Sequence, residues 1–151
     1  MTRTPDIQAI RAWFPALNNE TVLLENAGGS QVPHCVADAV RDYMLQDYVQ
    51  LGAGYPMSNR ATKVVEDAHT FVETLLNGSG CGRAILGSSC TSLTTMLSNS
   101  YQAGIKPGDE VVLCEQGHEA NIGPWLRLEK HGATIRWWKV DPDTGSLGLQ
   151  D

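Results

Sequence analysis

Two short stretches carry the residues able to do chemistry. The first is Gly108–Trp125, G-D-E-V-V-L-C-E-Q-G-H-E-A-N-I-G-P-W, which delivers one histidine, His118, just beyond an apolar run. An imidazole there can stack on an aromatic ring, exchange a proton near neutral pH, or cap the turn on which it sits. The second is Gly87–Ser92, G-S-S-C-T-S, ahead of an amphipathic stretch. A helix beginning there offers free N–H groups and the positive end of its dipole, a setting that holds an anion such as a phosphate. Ser88 or Ser89 can cap the same helix, and a cap does not exclude an anion.

Each stretch needs elements to position it. Val111–Cys114 is a continuous apolar run, which predicts a strand over 110–114 covered on both faces. α/β proteins place their chemistry at the carboxyl ends of such strands. A helix from Glu119 to His131, carrying Ile122, Trp125, Leu126 and Leu128, is expected next, with Gly132 as its stop. Arg83–Leu86 and Thr134–Val140 read as further strands, and 90–103 as a helix. The alternation β83–86, α90–103, β110–114, α119–131, β134–140 predicts an α/β fold with a mostly parallel sheet.

Helices are expected earlier in the chain over Asp6–Phe14, from Pro33 to about Val49, and from Ser58 to about Leu76. Val36, Val40 and Met44 mark the inner face of the second; Val64, Phe71 and Leu75 mark that of the third. A short strand, Thr21–Glu25, empties into Asn26-Ala27-Gly28-Gly29-Ser30, where two glycines can take angles closed to other residues. Gly52-Ala53-Gly54-Tyr55-Pro56-Met57 is not a dinucleotide fingerprint, because Met57 replaces the third glycine and no strand precedes it.

Composition narrows the function classes. The 151 residues suffice for one core, and 42% hydrophobic with 19% charged residues describes an ordinary globular chain. A net charge of −6 and the lack of any basic run argue against a nucleic-acid surface. No apolar run reaches the length of a membrane span, and the first residues lack the apolar core of a signal peptide. Cys35, Cys81, Cys90 and Cys114 form no C-x-x-C pair, so no metal site is expected and a reducing, cytoplasmic setting fits. Cys35 and Cys114 read as small core residues.

The window Gly108–Trp125, with G-A-T-I-R-W-W-K-V-D-P-D-T-G-S-L after it, resembles the class V, fold-type I pyridoxal phosphate (PLP) enzymes, close to the cysteine desulfurases. In that family a G-D-E-I/V-V strand leads to H-x-A-N-x-x-P-W, whose histidine stacks on the cofactor ring. The resemblance assigns that role to His118, with acid/base work as a second possibility. The family carries G-T-T-E/S where a helix begins, and two consecutive residues there touch the cofactor phosphate. Those positions fall on Cys90 and Thr91. Cys90 replaces the usual threonine, so its backbone N–H is what would serve, and Ser92 is the candidate to supply the lost hydroxyl. The family loop L-D-N-A-A/G, on the substrate side of the pocket, is matched by Leu24-Glu25-Asn26-Ala27-Gly28, which assigns Asn26, Ala27 and Gly28 to that side. The family's H-R-G loop near residue 53 has no counterpart here.

The resemblance implies amino-terminal helices plus part of the large PLP-binding domain of a fold-type I transferase. Residues 1–80 would be a helical extension with a short strand, and 81–151 the first part of the large domain. Enzymes of that family are roughly two to three times this length, large for a single core, so the chain reads as an amino-terminal portion. The family's Schiff-base lysine, and the aspartate that keeps the pyridine nitrogen protonated, lie downstream. None of Lys63, Lys106, Lys130 and Lys139 matches the lysine motif, so no catalytic lysine is assigned and the 151 residues alone are expected to be inactive. The implied whole is a homodimeric, cytoplasmic PLP enzyme acting on an amino acid by sulfur or selenium elimination. The alternative is a non-catalytic α/β module that binds a phosphorylated ligand at a helix amino terminus.

Overall fold

The first helix starts where a side chain can satisfy its open end. In the computed structural model, which describes residues 4–148, Asp6 Oδ1 accepts from the amides of Gln8 and Ala9 at 3.0 and 3.1 Å. Helix α1 covers only Ile7–Arg11, and a 3-10 helix follows over Pro15–Leu17. Residues 21–25 form no strand. A strand exists only where a neighbour pairs with its backbone, and the Thr21 amide instead donates locally to Asn19 Oδ1 at 2.7 Å. The turn after it closes through Gly28 N–H to Glu25 O at 3.1 Å. Neither Gly28 nor Gly29 takes a positive φ, so this turn does not use the freedom expected of them.

Helices α2 (His34–Gln46) and α3 (Pro56–Leu75) form close to their expected bounds. Their apolar stripes are spaced as expected but uncovered: Val36, Val40, Met44, Val64, Phe71 and Leu75 are all exposed. Cys35 is exposed too, which corrects its reading as a core residue. What α3 does bury is Ser58 and Ala61. Ser58 Oγ accepts from the Ala53 amide and Thr62 Oγ1 from the Gly52 amide, both at 2.9 Å, so the loop before α3 is stapled to its first turns.

These elements belong to one compact unit, Met1–Leu75; Leu76–Asp151 form a second. In the second, helix α4 spans Cys90–Tyr101 and runs on as a 3-10 turn to Gly104. Strands β1 (Glu110–Cys114) and β2 (Thr134–Trp138) pair in parallel, with Val112 opposite Arg136 and Leu113 opposite Trp137. Glu110 and Arg136, a diagonal pair, meet at 2.7 Å. Residues 83–86 belong to no strand, so that expected strand is not formed among the described residues.

The helix expected over 119–131 is three pieces: a 3-10 helix at Glu119–Asn121, helix α5 at Gly123–Leu126, and a 3-10 helix at Arg127–His131. Pro124 makes the first break: with no N–H to donate it cannot continue a helix begun at Glu119, and it stands instead in the first turn of α5. Gly132 ends the last piece as expected, at φ 105, and its amide donates to Glu129 O at 3.1 Å. The core of this unit is Leu113, Ala120, Pro124, Leu128 and Ala133. Val112 remains 65% exposed, so β1 is covered on one face, not on both. Cys114 is only half-buried.

Beyond β2, Val140 and Leu147 form an antiparallel bridge around a turn. Asp141 Oδ1 accepts from the amides of Asp143 and Thr144 at 2.8 and 3.2 Å. Those bonds favour the charged form and hold the Asp141 carboxyl below its ordinary value, Asp143 contributing most. With the folded pKa depressed, the stabilisation is fully present above the unfolded value and is lost as pH falls through the folded one. In an acid titration read by NMR, the Asp143 and Thr144 amides should shift together, with a midpoint below that of a free aspartate. A midpoint at the free value would mean that the turn does not hold the carboxylate.

Candidate functional site

Ser89 is extended (φ −164°, ψ 159°) and opens α4. Its Oγ accepts from the Ser92 amide at 3.0 Å and its carbonyl from the Leu93 amide at 3.0 Å. Ser89, rather than Ser88, is therefore the cap. The amides of Cys90 and Thr91 have no acceptor among the described residues. Two backbone donors thus remain open at the positive end of a helix dipole. Cys90 and Thr91 are exposed around them, and Ser92 is half-buried.

His118 is delivered by a tight turn. The Gly117 amide donates to Cys114 O at 3.0 Å. A Cβ at residue 117 would stand 3.0 Å from that same oxygen and 3.2 Å from Ile122 Cγ1, so a larger residue would crowd the turn by which the chain leaves β1. His118 then caps the 3-10 helix, its Nδ1 accepting from the Ala120 amide at 3.1 Å. In the neutral ring this bond places the proton on Nε2. The ring is exposed, so capping leaves its face open.

The two stretches meet. The Asn121 amide donates to His118 O at 2.7 Å. Asn121 Oδ1 accepts from Thr94 Oγ1 at 3.4 Å and from Cys90 Sγ at 3.7 Å, while Cys90 Sγ and Thr94 Oγ1 lie 3.8 Å apart. Tyr101 and Trp125 extend the same join, their ring centroids 5.9 Å apart. Sequence reasoning singled out neither Asn121 nor Thr94 for the site. Asn121 lies inside the His118 window and Thr94 one turn beyond Cys90, but the contact between them is made only by the fold.

Asn26, Ala27 and Gly28 belong to the first unit, in an exposed turn. Asn26 and Gly28 line a shallow hollow of about 370 Å³ there with Leu23, Glu25, Gly29 and Gln31. Lys63 is tied to Asp67 at 2.8 Å. Among the described residues, no three His, Cys, Asp or Glu side chains gather as a metal site. No helix among them is long and apolar enough to cross a membrane.

A parallel strand pair, joined through a histidine-bearing loop that packs on a helix whose first amides are open, defines an α/β protein. The chain belongs to the aminotransferase class-V family, whose profile matches residues 22–151. It is 34% identical over 150 residues to the aminotransferase-like protein FGM3 of Gibberella zeae, covering 91% of this chain and 37% of that protein. It is 30% identical over 151 residues to a cysteine desulfurase of Pectobacterium atrosepticum, covering 95% and 37%. The apo structure of a cysteine desulfurase from Thermococcus onnurineus shares the fold, with a TM-score of 0.84 at 22% identity over 99% of this chain and 37% of that one. The chain thus matches the amino-terminal part of a fold-type I structure and spans little more than a third of these proteins' lengths.

Proposed function

We propose that this chain is the cofactor-binding front of a PLP-dependent enzyme that acts on an amino acid, most closely by cysteine desulfurase-like elimination of sulfur or selenium. The observation that carries the reading is the contact between Asn121 and the Cys90–Thr94 turn, which sets an anion-ready helix start beside His118. The residues present fit the group. The open amides of Cys90 and Thr91, with the Thr91 hydroxyl, suit a phosphate. The exposed His118 ring suits stacking on an aromatic ring. Ser89 holds the Ser92 amide in its cap, so Ser92 would contribute its hydroxyl alone.

Bound PLP supplies an electron sink for bond breaking next to the amino group of an amino acid. This chain's residues do the rest of the holding. The α4 amides would fix one end of the cofactor, and His118 would orient its ring, carrying its own proton at Nε2. Asn26, Ala27 and Gly28 would border the substrate. Residues 81–151 would begin the large domain, and 1–80 the extension before it. The uncovered stripes of α2 and α3 and the bare face of β1 support a reading in which a second subunit and further chain cover them, in a cytoplasmic homodimer. No observation favours the non-catalytic phosphate-binding module.

Lysine chemistry tests the reading. The full-length protein reduced with borohydride in the presence of PLP should carry one modified lysine, outside this chain, and the unreduced PLP-loaded protein supplied with a thiol reductant should release sulfide from cysteine or selenide from selenocysteine. The 151 residues alone should show no site-specific labelling of Lys63, Lys106, Lys130 or Lys139 by mass spectrometry. Stoichiometric labelling of any of these four would assign the catalytic lysine to this chain. A full-length protein with no modified lysine would end the enzyme reading.

A further inference from the structure

The side-chain hydrogen bonds between the two binding stretches converge on one residue. Asn121 Oδ1 takes both hydrogen bonds that cross from α4, from Thr94 Oγ1 at 3.4 Å and Cys90 Sγ at 3.7 Å. A thiol is a weak donor, so the half-buried Thr94 hydroxyl is the firmer of the two links. On its other side, Asn121 is tied to the His118 carbonyl through its own backbone amide at 2.7 Å. The side chain of Asn121 is itself exposed, so truncating it opens no core cavity.

We propose that Asn121 is a positioning residue: through Thr94 and Cys90 it sets the separation between the open amides of α4 and the ring of His118. The inference rests on the function proposed above, in which one rigid molecule, a phosphorylated aromatic ring, is gripped at both places. Such a ligand tolerates little change in the spacing of its grips, because a shift that suits one end misplaces the other. Asn121 then acts on affinity and ring orientation, without touching the ligand.

The test uses the full-length protein titrated with PLP. Affinity is read from tryptophan quenching, ring orientation from the induced circular dichroism of the bound cofactor, and stability from melting of the cofactor-free form. Asn121→Ala and Thr94→Val should each weaken PLP binding about 2- to 12-fold, the equivalent of one net hydrogen bond, and reduce the induced signal. The double variant should be no weaker than Asn121→Ala, which already removes both links. Thr94→Ser keeps the hydroxyl and should match the parent, and in the other three variants the cofactor-free protein should melt at most a few degrees lower, the cost of an exposed hydrogen bond. Equal affinity and signal in parent and Asn121→Ala overturn the proposal, as do losses that simply add. A lowered melting temperature with unchanged affinity would make the role structural only and overturn it too. A parent that binds no PLP would instead overturn the proposed function, and this inference with it.

Discussion

Leu128→Ala should destabilise the second unit by about 2–5 kcal/mol, the range for a large buried aliphatic side chain cut back to a methyl. Leu128 is 1% exposed, and the other buried hydrophobic residues around this core are few and mostly small: Leu113, Ala120, Pro124 and Ala133. The backbone at Leu128 is also held, because its carbonyl accepts from the Ala133 amide at 3.2 Å as the chain leaves through Gly132. The vacated volume therefore has little freedom to collapse. Denaturant unfolding followed by the fluorescence of Trp125, Trp137 and Trp138 measures the effect. A loss below about 1 kcal/mol would place the mutation in the surface class and show that Leu128 does not anchor this unit.

His118 has two duties, and substitutions can separate them. With His118→Ala the Ala120 amide loses its acceptor, which costs about 0.5–2 kcal/mol at a cap. The cofactor loses a stacking partner, worth about 0.5–1.5 kcal/mol, or about 2- to 12-fold in PLP affinity. His118→Asn keeps a capping oxygen without the ring, and His118→Phe keeps a ring without the cap. In the full-length protein, then, the asparagine variant should melt like the parent but hold PLP weakly. The phenylalanine variant should hold PLP but melt lower. The reverse pattern, with asparagine retaining the cofactor and phenylalanine losing it, would reduce His118 to a cap.

What the sequence alone determined lies within single elements. The apolar run of β1, the serine cap of α4, the glycine stop at Gly132 and the parallel α/β order all follow from neighbours along the chain. Their signals are local: a continuous apolar run, a side-chain acceptor for open amides, a left-handed residue. Local signals misled where pairing or a single ring decided the outcome. Residues 21–25 and 83–86 have strand-like composition, yet a strand is defined by its partner, and no such ladder forms around them in the described chain. The helix predicted over 119–131 was drawn from apolar spacing, and Pro124 divides it by removing a donor. The stripes of α2 and α3 were legible as stripes; whether anything covers them is a property of three dimensions, and here they stand open. The same holds for the site. His118 and Thr91 carry their chemistry in their types, but Asn121 meets Cys90 and Thr94 across 31 and 27 positions of sequence. Only the packing of the β1–β2 crossover against α4 closes that distance, because a hydrogen bond depends on separation in space and leaves no period in the chain.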